Sequence, residues 1–201
     1  MTGGRIVVLS APSGSGKGTV IRKLLTMRCD VSISVSYASR PPREGEADGK
    51  HYYFVTRSQF NEMIINGDFV EWDRYQGDYY GTSKEKIQQL LDRRENVIFD
   101  ITIKGAYAIR EHFPHAALVF LLPPSFGELE RRLRARGTES DEKIKGRLTE
   151  ARREIAALEN FDYYIINNDV AEAARQLSSI FDAEKCRMRE GEAKNILNSF
   201  H

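Results

Sequence analysis

Apolar positions along the chain fall into short β-branched runs separated by helically spaced segments. In residues 5–10 (RIVVLS) four consecutive apolar positions lie between Arg5 and Ser10, the mark of a buried strand. A Gly/Ser loop over 11–16 follows, then residues 17–27 with Val20, Leu24 and Met27 at helical spacing. Strand, loop and helix in that order open an α/β domain. Further on, 96–102 (NVIFDIT), 117–122 (ALVFLL) and 163–167 read as strands. Helical patterns over 83–94, 105–112, 125–136, 142–158 and 170–189 alternate with them. The stretch between 31 and 82 differs. Residues 31–36 (VSISVS) alternate as a strand, and 40–49 is a Pro/Gly-rich charged loop. Strands are expected at 51–55, 69–75 and 78–80, with a turn at Gln76-Gly77 and a short helix over 58–66 capped by Ser58. The tail after Glu190 is weakly patterned.

This pattern predicts an α/β fold: a parallel sheet core flanked by helices, with a small mixed β insertion and a helical one. The core is assigned to 1–33, 83–124 and 161–201, the β-rich insertion to 34–82, and the helical insertion to 125–160. A length of 201 residues suits one large domain with such insertions.

Charge narrows the function classes. Lys+Arg is 30 and Asp+Glu is 29, a net charge of +1, which argues against a strongly basic nucleic-acid-coating protein. The longest apolar stretch, 116–122, is far short of the ~20 residues that span a bilayer. No apolar signal segment follows Met1, and Cys29 and Cys186 lie far apart without metal-ligand spacing. The expectation is a cytoplasmic protein that binds neither nucleic acid nor membrane. Nothing in the sequence fixes its oligomeric state.

The most informative segment is Ala11-Pro-Ser-Gly-Ser-Gly-Lys-Gly-Thr19, between a predicted strand and a predicted helix. Small residues let backbone N–H groups turn inward around a phosphate chain, and the helix N-terminus adds partial positive charge. Ser13, Gly14, Ser15, Gly16, Lys17, Gly18 and Thr19 are therefore candidates for holding a nucleoside triphosphate, with Lys17 reaching its β- and γ-oxygens. The pattern G-x-x-x-x-G-K-[ST] is met incompletely: Ala11 replaces the first glycine and Gly18 the hydroxyl residue that would touch magnesium. Thr19, one place later, is the candidate hydroxyl. A second constellation follows. Arg40 and Arg43, three apart in a Pro/Gly loop, can grip a phosphate with forked donors, and Tyr52 and Tyr80 offer phenols to the same anion. Glu71, inside the apolar run F-V-E-W, is a carboxylate whose two oxygens match adjacent N–H donors such as N1–H and N2–H of guanine.

These motifs occur in order with S-V-S-x-x-x-R-x-P-R-x-G-E, G-D-Y-Y-G-T, L-L-P-P-S and R-R-L-R-A-R-G, over about residues 4–190. So arranged, the chain resembles the guanylate kinases, P-loop nucleoside monophosphate kinases. The resemblance implies reversible phosphoryl transfer from ATP to GMP or dGMP, with Mg²⁺. It implies Lys17 and the loop for ATP, and Arg40, Arg43, Tyr52 and Tyr80 for the acceptor phosphate. Ser36, Glu71 and Thr82 would face guanine. Arg132, Arg136 and Arg147 would approach the transferring phosphoryl, in a lid that closes with the β insertion. Asn167 would lie near adenine, and Asp100 would help hold magnesium through water together with Thr19. The same arginines also fit a helix surface of i,i+4 ion pairs with Glu128, Glu130 and Glu150.

The chain departs from the family pattern in places. Ala38 and Ser39 stand where the family usually has two threonines. Asp100-Ile-Thr102 stands where it usually has Asp-Ile-Asp; by the resemblance, the second aspartate accepts from the guanine 2-amino group, and this chain offers there a neutral hydroxyl at Thr102. The Gly18 change resembles the G-K-G-T loop of adenylate kinases. Two alternatives follow: a kinase with a shifted acceptor, such as another purine monophosphate or a phosphosugar, or a non-enzymatic binding module on the same fold. The presence of Lys17 opposes the latter.

Overall fold

The structure, a computed structural model, describes residues 4–75, 77–135, 137, 140–188 and 192–200. Its elements run β1 Ile6–Ser10, α1 Lys17–Met27, β2 Val31–Ile33, β3 Tyr37–Ala38, β4 Tyr53–Phe54, α2 Arg57–Ile65, β5 Phe69–Tyr75, β6 Asp78–Ser83, α3 Lys84–Asp92, β7 Asn96–Asp100 and α4 Ile103–His112. They continue with β8 Ala117–Leu122, α5 Phe126–Arg134, α6 Asp141–Ile155, a 3-10 helix Ala156–Asn160, β9 Tyr163–Ile166, α7 Val170–Cys186 and α8 Glu192–Asn198.

Five parallel strands form one sheet, in the order β2-β7-β1-β8-β9. Its two faces are fed by alternate residues of strands buried on both sides, as a parallel sheet requires. Val7 and Leu9 of β1, Ile98 of β7 and Val119 of β8 join α1 and α7 in one core layer. Ile6, Val8, Val97, Phe99 and Leu118 pack the opposite face, against Ile87 of α3 and Ala106 and Ile109 of α4. Register sets Leu9 beside Asp100. Asp100 is the one exposed residue of β7, at the carboxyl edge of the sheet, where ligands of open α/β folds bind.

A second sheet, in the order β4-β3-β6-β5, carries the residues between 37 and 83. Antiparallel β5 and β6 pair Glu71 with Thr82 and Asp73 with Tyr80. A third cluster, Leu129 and Leu133 of α5 with Ile144 and Ala151 of α6, ties those two helices together.

Several local expectations are corrected. The run 31–36 is not one strand: pairing stops after Ile33 and Ser34, whose N–H reaches the Ile98 carbonyl, and the chain then crosses to the second sheet at Tyr37. Helix α2 is capped by Thr56, not Ser58, in a capping box with Gln59. Strand β7 ends at Asp100, and Thr102 is the N-cap of α4 instead of a strand residue. The charged helix expected over 142–158 tightens to a 3-10 turn after Ile155. The weakly patterned tail contains α8.

Candidate active site

The phosphate loop is shaped by its glycines. Gly14 and Gly16 have φ of 98° and 89°, a region that side-chain-bearing residues seldom adopt. A Cβ on Gly14 would also lie 2.9 Å from Leu129 Cδ1, and one on Gly16 would lie 2.6 Å from Asn167 Nδ2. Gly16 is the N-cap of α1 and offers no side-chain bond, so no cap from this residue competes with an anion for the first-turn N–H groups. The loop is propped from behind. Ser15 O accepts from Asn167 Nδ2 at 2.7 Å and from Arg132 Nη1 at 3.4 Å, and Arg132 Nη2 donates to Asn167 O at 2.9 Å. Asn167 is 2% exposed and bonded to the loop. Arg132 also pairs with Glu128 at 2.7 Å, so the i,i+4 pair and the loop contact coexist. The two arginines at 131 and 132 draw the Glu128 carboxyl down to about 2.

On the open side, Lys17 Nζ stands 2.8 Å from Asp100 Oδ1 and donates to Ile101 O at 2.9 Å. Arg147 Nη1 donates to Ser13 Oγ at 2.9 Å. Arg136 lies outside the described residues. Glu154, half-buried on α6, was missed by sequence reasoning. Burial and Glu150 raise its pKa, while Lys17 and the Ser13 N–H oppose that rise. Thr19 is exposed, and its Oγ1 accepts from Arg22 Nη2 at 3.1 Å, bringing an unforeseen cation to the rim. Gly18 has ordinary clearance: the nearest atom to a Cβ there is Arg22 Nη1, at 3.6 Å.

A cleft of about 400 Å³ runs from this loop to the second sheet. It brings together Lys17, Asp100, Thr102 and Arg147 with Ser36, Arg40, Arg43, Tyr52, Glu71 and Tyr80. Arg40, 7% exposed, is held at both ends: Nε donates to Tyr80 OH at 3.1 Å, and the fork meets Glu46 at 2.6 and 2.8 Å. Glu46 also accepts the Arg43 N–H at 2.8 Å. These bonds lower its carboxyl to about 2 and raise the Arg40 guanidinium further above its already high value. Arg40 also lies over the Tyr52 ring at 5.2 Å. Tyr52 is raised by burial and then by the negative charge of Asp100, so it stays a neutral donor. The Glu-to-Arg clamp was present in the R-x-G-E pattern, but its geometry was not.

Glu71 forms the other end. Its Oε1 accepts from Thr82 Oγ1 at 2.5 Å, and Thr82 lies 3.5 Å from Ser36 Oγ. Its Oε2 rests on the first turn of α4, 3.2 Å from where a Gly105 Cβ would sit. Burial raises its pKa, and Asp73 adds to this; Thr82 and Lys104 oppose it. Asp73 and Arg74 also line the cleft, and neither was singled out from the sequence. Thr102 is there too, its Oγ1 accepting the Gly105 N–H at 3.2 Å.

Among the described residues no three His, Cys, Asp or Glu side chains gather as a metal cluster. Asp100 beside the phosphate loop, with Thr19 nearby in the chain, still fits a magnesium ion that keeps several waters and is bound largely through phosphate oxygens. No described helix is long and apolar enough to cross a membrane.

Comparison with known proteins agrees with this arrangement. The guanylate kinase family profile matches residues 3–184. A guanylate kinase of Prochlorococcus marinus (strain NATL2A) is 42% identical over 174 residues, covering 87% of this chain and 94% of that protein. One from Nostoc sp. is 46% identical over 173 residues, covering 86% of each. The crystal structure of guanylate kinase from Anaplasma phagocytophilum superposes with a TM-score of 0.80 at 32% identity, covering 99% of this chain and 96% of that one. The SH3-kinase fragment of tight junction protein 3 shares only the fold, at 14% identity and a TM-score of 0.51, over 93% of this chain and 60% of that one. A phosphate loop facing a carboxylate-and-arginine pocket, matched along nearly the whole chain, is thus shared ancestry and not a chance likeness: the chain belongs to the guanylate kinase family, ATP-dependent nucleoside monophosphate kinases.

Proposed function

We propose that this chain transfers the γ-phosphoryl group of ATP to GMP or dGMP, reversibly, giving ADP and the guanosine diphosphate. The observation that carries the reading is the single cleft between Lys17 and Glu71, lined between them by Arg40, Tyr52 and Tyr80. An acceptor phosphate on Arg40, Arg43, Tyr52 and Tyr80 would point an ionised oxygen at the loop. That oxygen attacks the γ-phosphorus, the bond to the bridging oxygen breaks, and ADP leaves with its electrons. The attacking oxygen is already anionic, so no dedicated base is needed. The rest of the work is positioning and charge stabilisation.

Lys17, the loop amides and Arg147 would neutralise charge on the transferring group. Arg136 is assigned to the same role from the sequence. Arg132 would act through the loop it braces, and Asn167 would hold Ser15 in place. Ser36, Glu71 and Thr82 would read guanine, with Glu71 ionised by the N1–H and N2–H donors it accepts. Mg²⁺ with ATP, held near Asp100 and Thr19 through water, would supply neutralisation of the phosphate oxygens. The segments 34–82 and 125–160 would act as acceptor-binding region and lid around the core of 1–33, 83–124 and 161–201, closing to exclude water. A cytoplasmic setting, where ATP and GMP are available, suits this reading.

ADP release in a coupled assay with ATP, Mg²⁺ and a panel of GMP, dGMP, IMP, AMP and UMP tests it. Preference for GMP or dGMP is expected. Turnover confined to another acceptor would replace the reading with a shifted specificity, which Thr102 favours. ATP binding without any turnover would favour a binding module.

A further inference from the structure

The guanine 2-amino group has two N–H donors. In the reading above one goes to Glu71, and the family resemblance leads to an aspartate at position 102 for the other. This chain has Thr102, and its hydroxyl oxygen already accepts the Gly105 N–H at 3.2 Å as the cap of α4. Neutral and committed to the helix, that oxygen is a poor second acceptor.

A carboxylate stands nearby on the facing strand. Asp73 follows Glu71 by two residues on β5, and no register shift separates them, so both side chains leave the same face of the sheet. Both line the cleft. Same-face neighbours on a strand are about 6.8 Å apart along the chain. Two acceptors flanking one amino nitrogen, each at about 2.9 Å, need at most about 5.8 Å between them, within reach of side chains that lean together. Asp73 is also held in place. Its Oδ1 accepts the Arg74 N–H at 2.8 Å and stands 3.4 Å from Lys104 Nζ. Lys104 lies on α4, two residues beyond Thr102, so the pair ties Asp73 to the same helix turn that Thr102 caps. Lys104 also offsets the charge of two carboxylates set close together.

We propose that Asp73, positioned by Lys104, is the specificity-determining acceptor for the exocyclic amino group of the purine, relocated from position 102 to strand β5. This rests on the GMP-kinase reading and adds to it the residue that separates a 2-amino purine from one without that group. Burial first, and then the charge of Asp73, push the Glu71 pKa up; an amino group bridging the two carboxylates would relieve the second of these.

The test compares kcat/KM for GMP, IMP and dGMP in the native protein, Asp73→Ala, Asp73→Asn, Thr102→Asp and the Thr102→Asp/Asp73→Ala double variant. IMP lacks the 2-amino group and dGMP lacks only the 2′-hydroxyl. Loss of a hydrogen bond to a charged group predicts that the GMP-to-IMP preference falls about tenfold or more in Asp73→Ala, and less in Asp73→Asn, which keeps an acceptor. The double variant should regain the preference. The GMP-to-dGMP ratio should not move. Asp73 is 44% exposed at its side chain, so the variants should fold, and a thermal melt with ATP checks that. GMP and IMP falling alike, or neither changing, overturns the proposal. A shift in the GMP-to-dGMP ratio also overturns it, by placing Asp73 against the sugar. A native protein that turns over none of the three removes the GMP-kinase reading itself, and this inference with it; an active native protein with an unmoved ratio removes this inference alone.

Discussion

Lys17 Nζ, at the start of α1, lies 2.8 Å from Asp100 Oδ1 at the end of β7, the strand that pairs with β1. In the proposed function, the lysine assigned to the ATP phosphates is parked on the carboxylate assigned to magnesium. On that reading, nucleotide and magnesium together would exchange this one pair for two better ones. Lys17→Ala should lower kcat by at least about 10²-fold, the scale for removing a transition-state donor. Asp100→Asn should raise the Mg²⁺ requirement while leaving GMP binding near the native value. Steady-state kinetics with magnesium and GMP varied separately check both.

Glu71 gives a pH dependence. Burial raises its carboxyl above the ordinary value, and the proposed reading of guanine requires it ionised. KM for GMP should rise as pH falls through that raised pKa, with KM for ATP unmoved. Stability moves with pH in the opposite direction. Because the folded pKa is raised, the folded state binds the proton more tightly, and Glu71 costs stability as pH rises above the unfolded carboxyl value. Glu71→Gln should thus raise the melting temperature of the ligand-free protein at neutral pH while raising KM for GMP. A variant that melts lower at neutral pH would contradict this account.

Glu46 behaves oppositely. Arg40 and the Arg43 N–H hold its carboxyl at about 2, so its contribution is present above the unfolded value and fades as pH falls toward 2. Glu46→Ala should leave Arg40 without its fork and raise KM for GMP severalfold with little change in KM for ATP. A melting curve against pH should lose part of its acid slope in this variant.

The glycines of the phosphate loop are not equivalent. Gly16→Ala would drive a methyl to 2.6 Å from Asn167 Nδ2 at a positive φ, and should abolish tight ATP binding. Gly18 has ordinary clearance and no positive φ, so Gly18→Ser should fold normally. Its hydroxyl would restore the loop's usual metal contact and should lower the Mg²⁺ needed for half-maximal rate. Calorimetry with ATP and a magnesium titration distinguish the two.

Much of this site was legible along the chain, because each motif is local. The loop 11–19 announces its geometry through glycine spacing and the strand and helix around it. Arg40, Arg43, Tyr52, Glu71 and Tyr80 carried a resemblance strong enough to gather them before any fold was seen. Other contacts were not legible because they join distant segments. Arg132 and Asn167 converge on Ser15 O across 117 and 152 residues, which no spacing rule could foresee. Thr102 read as a strand end, since an apolar run such as NVIFDIT cannot mark where pairing stops; its cap bond to Gly105 decides that.

The sequence by itself determined the kind of protein: alternating strands and helices, a phosphate loop, an anion clamp and a carboxylate among apolar neighbours. Those are properties of residue type and short-range spacing, and backbone sterics and hydrophobic periodicity enforce them locally. Only the tertiary structure decided which charges are paired before substrate arrives and which loop atoms are braced from behind. Parallel pairing brings the end of β7 beside the end of β1, where the loop and α1 that follow carry Lys17 to Asp100, and the antiparallel register of β5 with β6 puts Glu71 and Asp73 on one face over α4. Register, a relation between strands remote in sequence, fixes those distances, and distance fixes the electrostatics of the cleft.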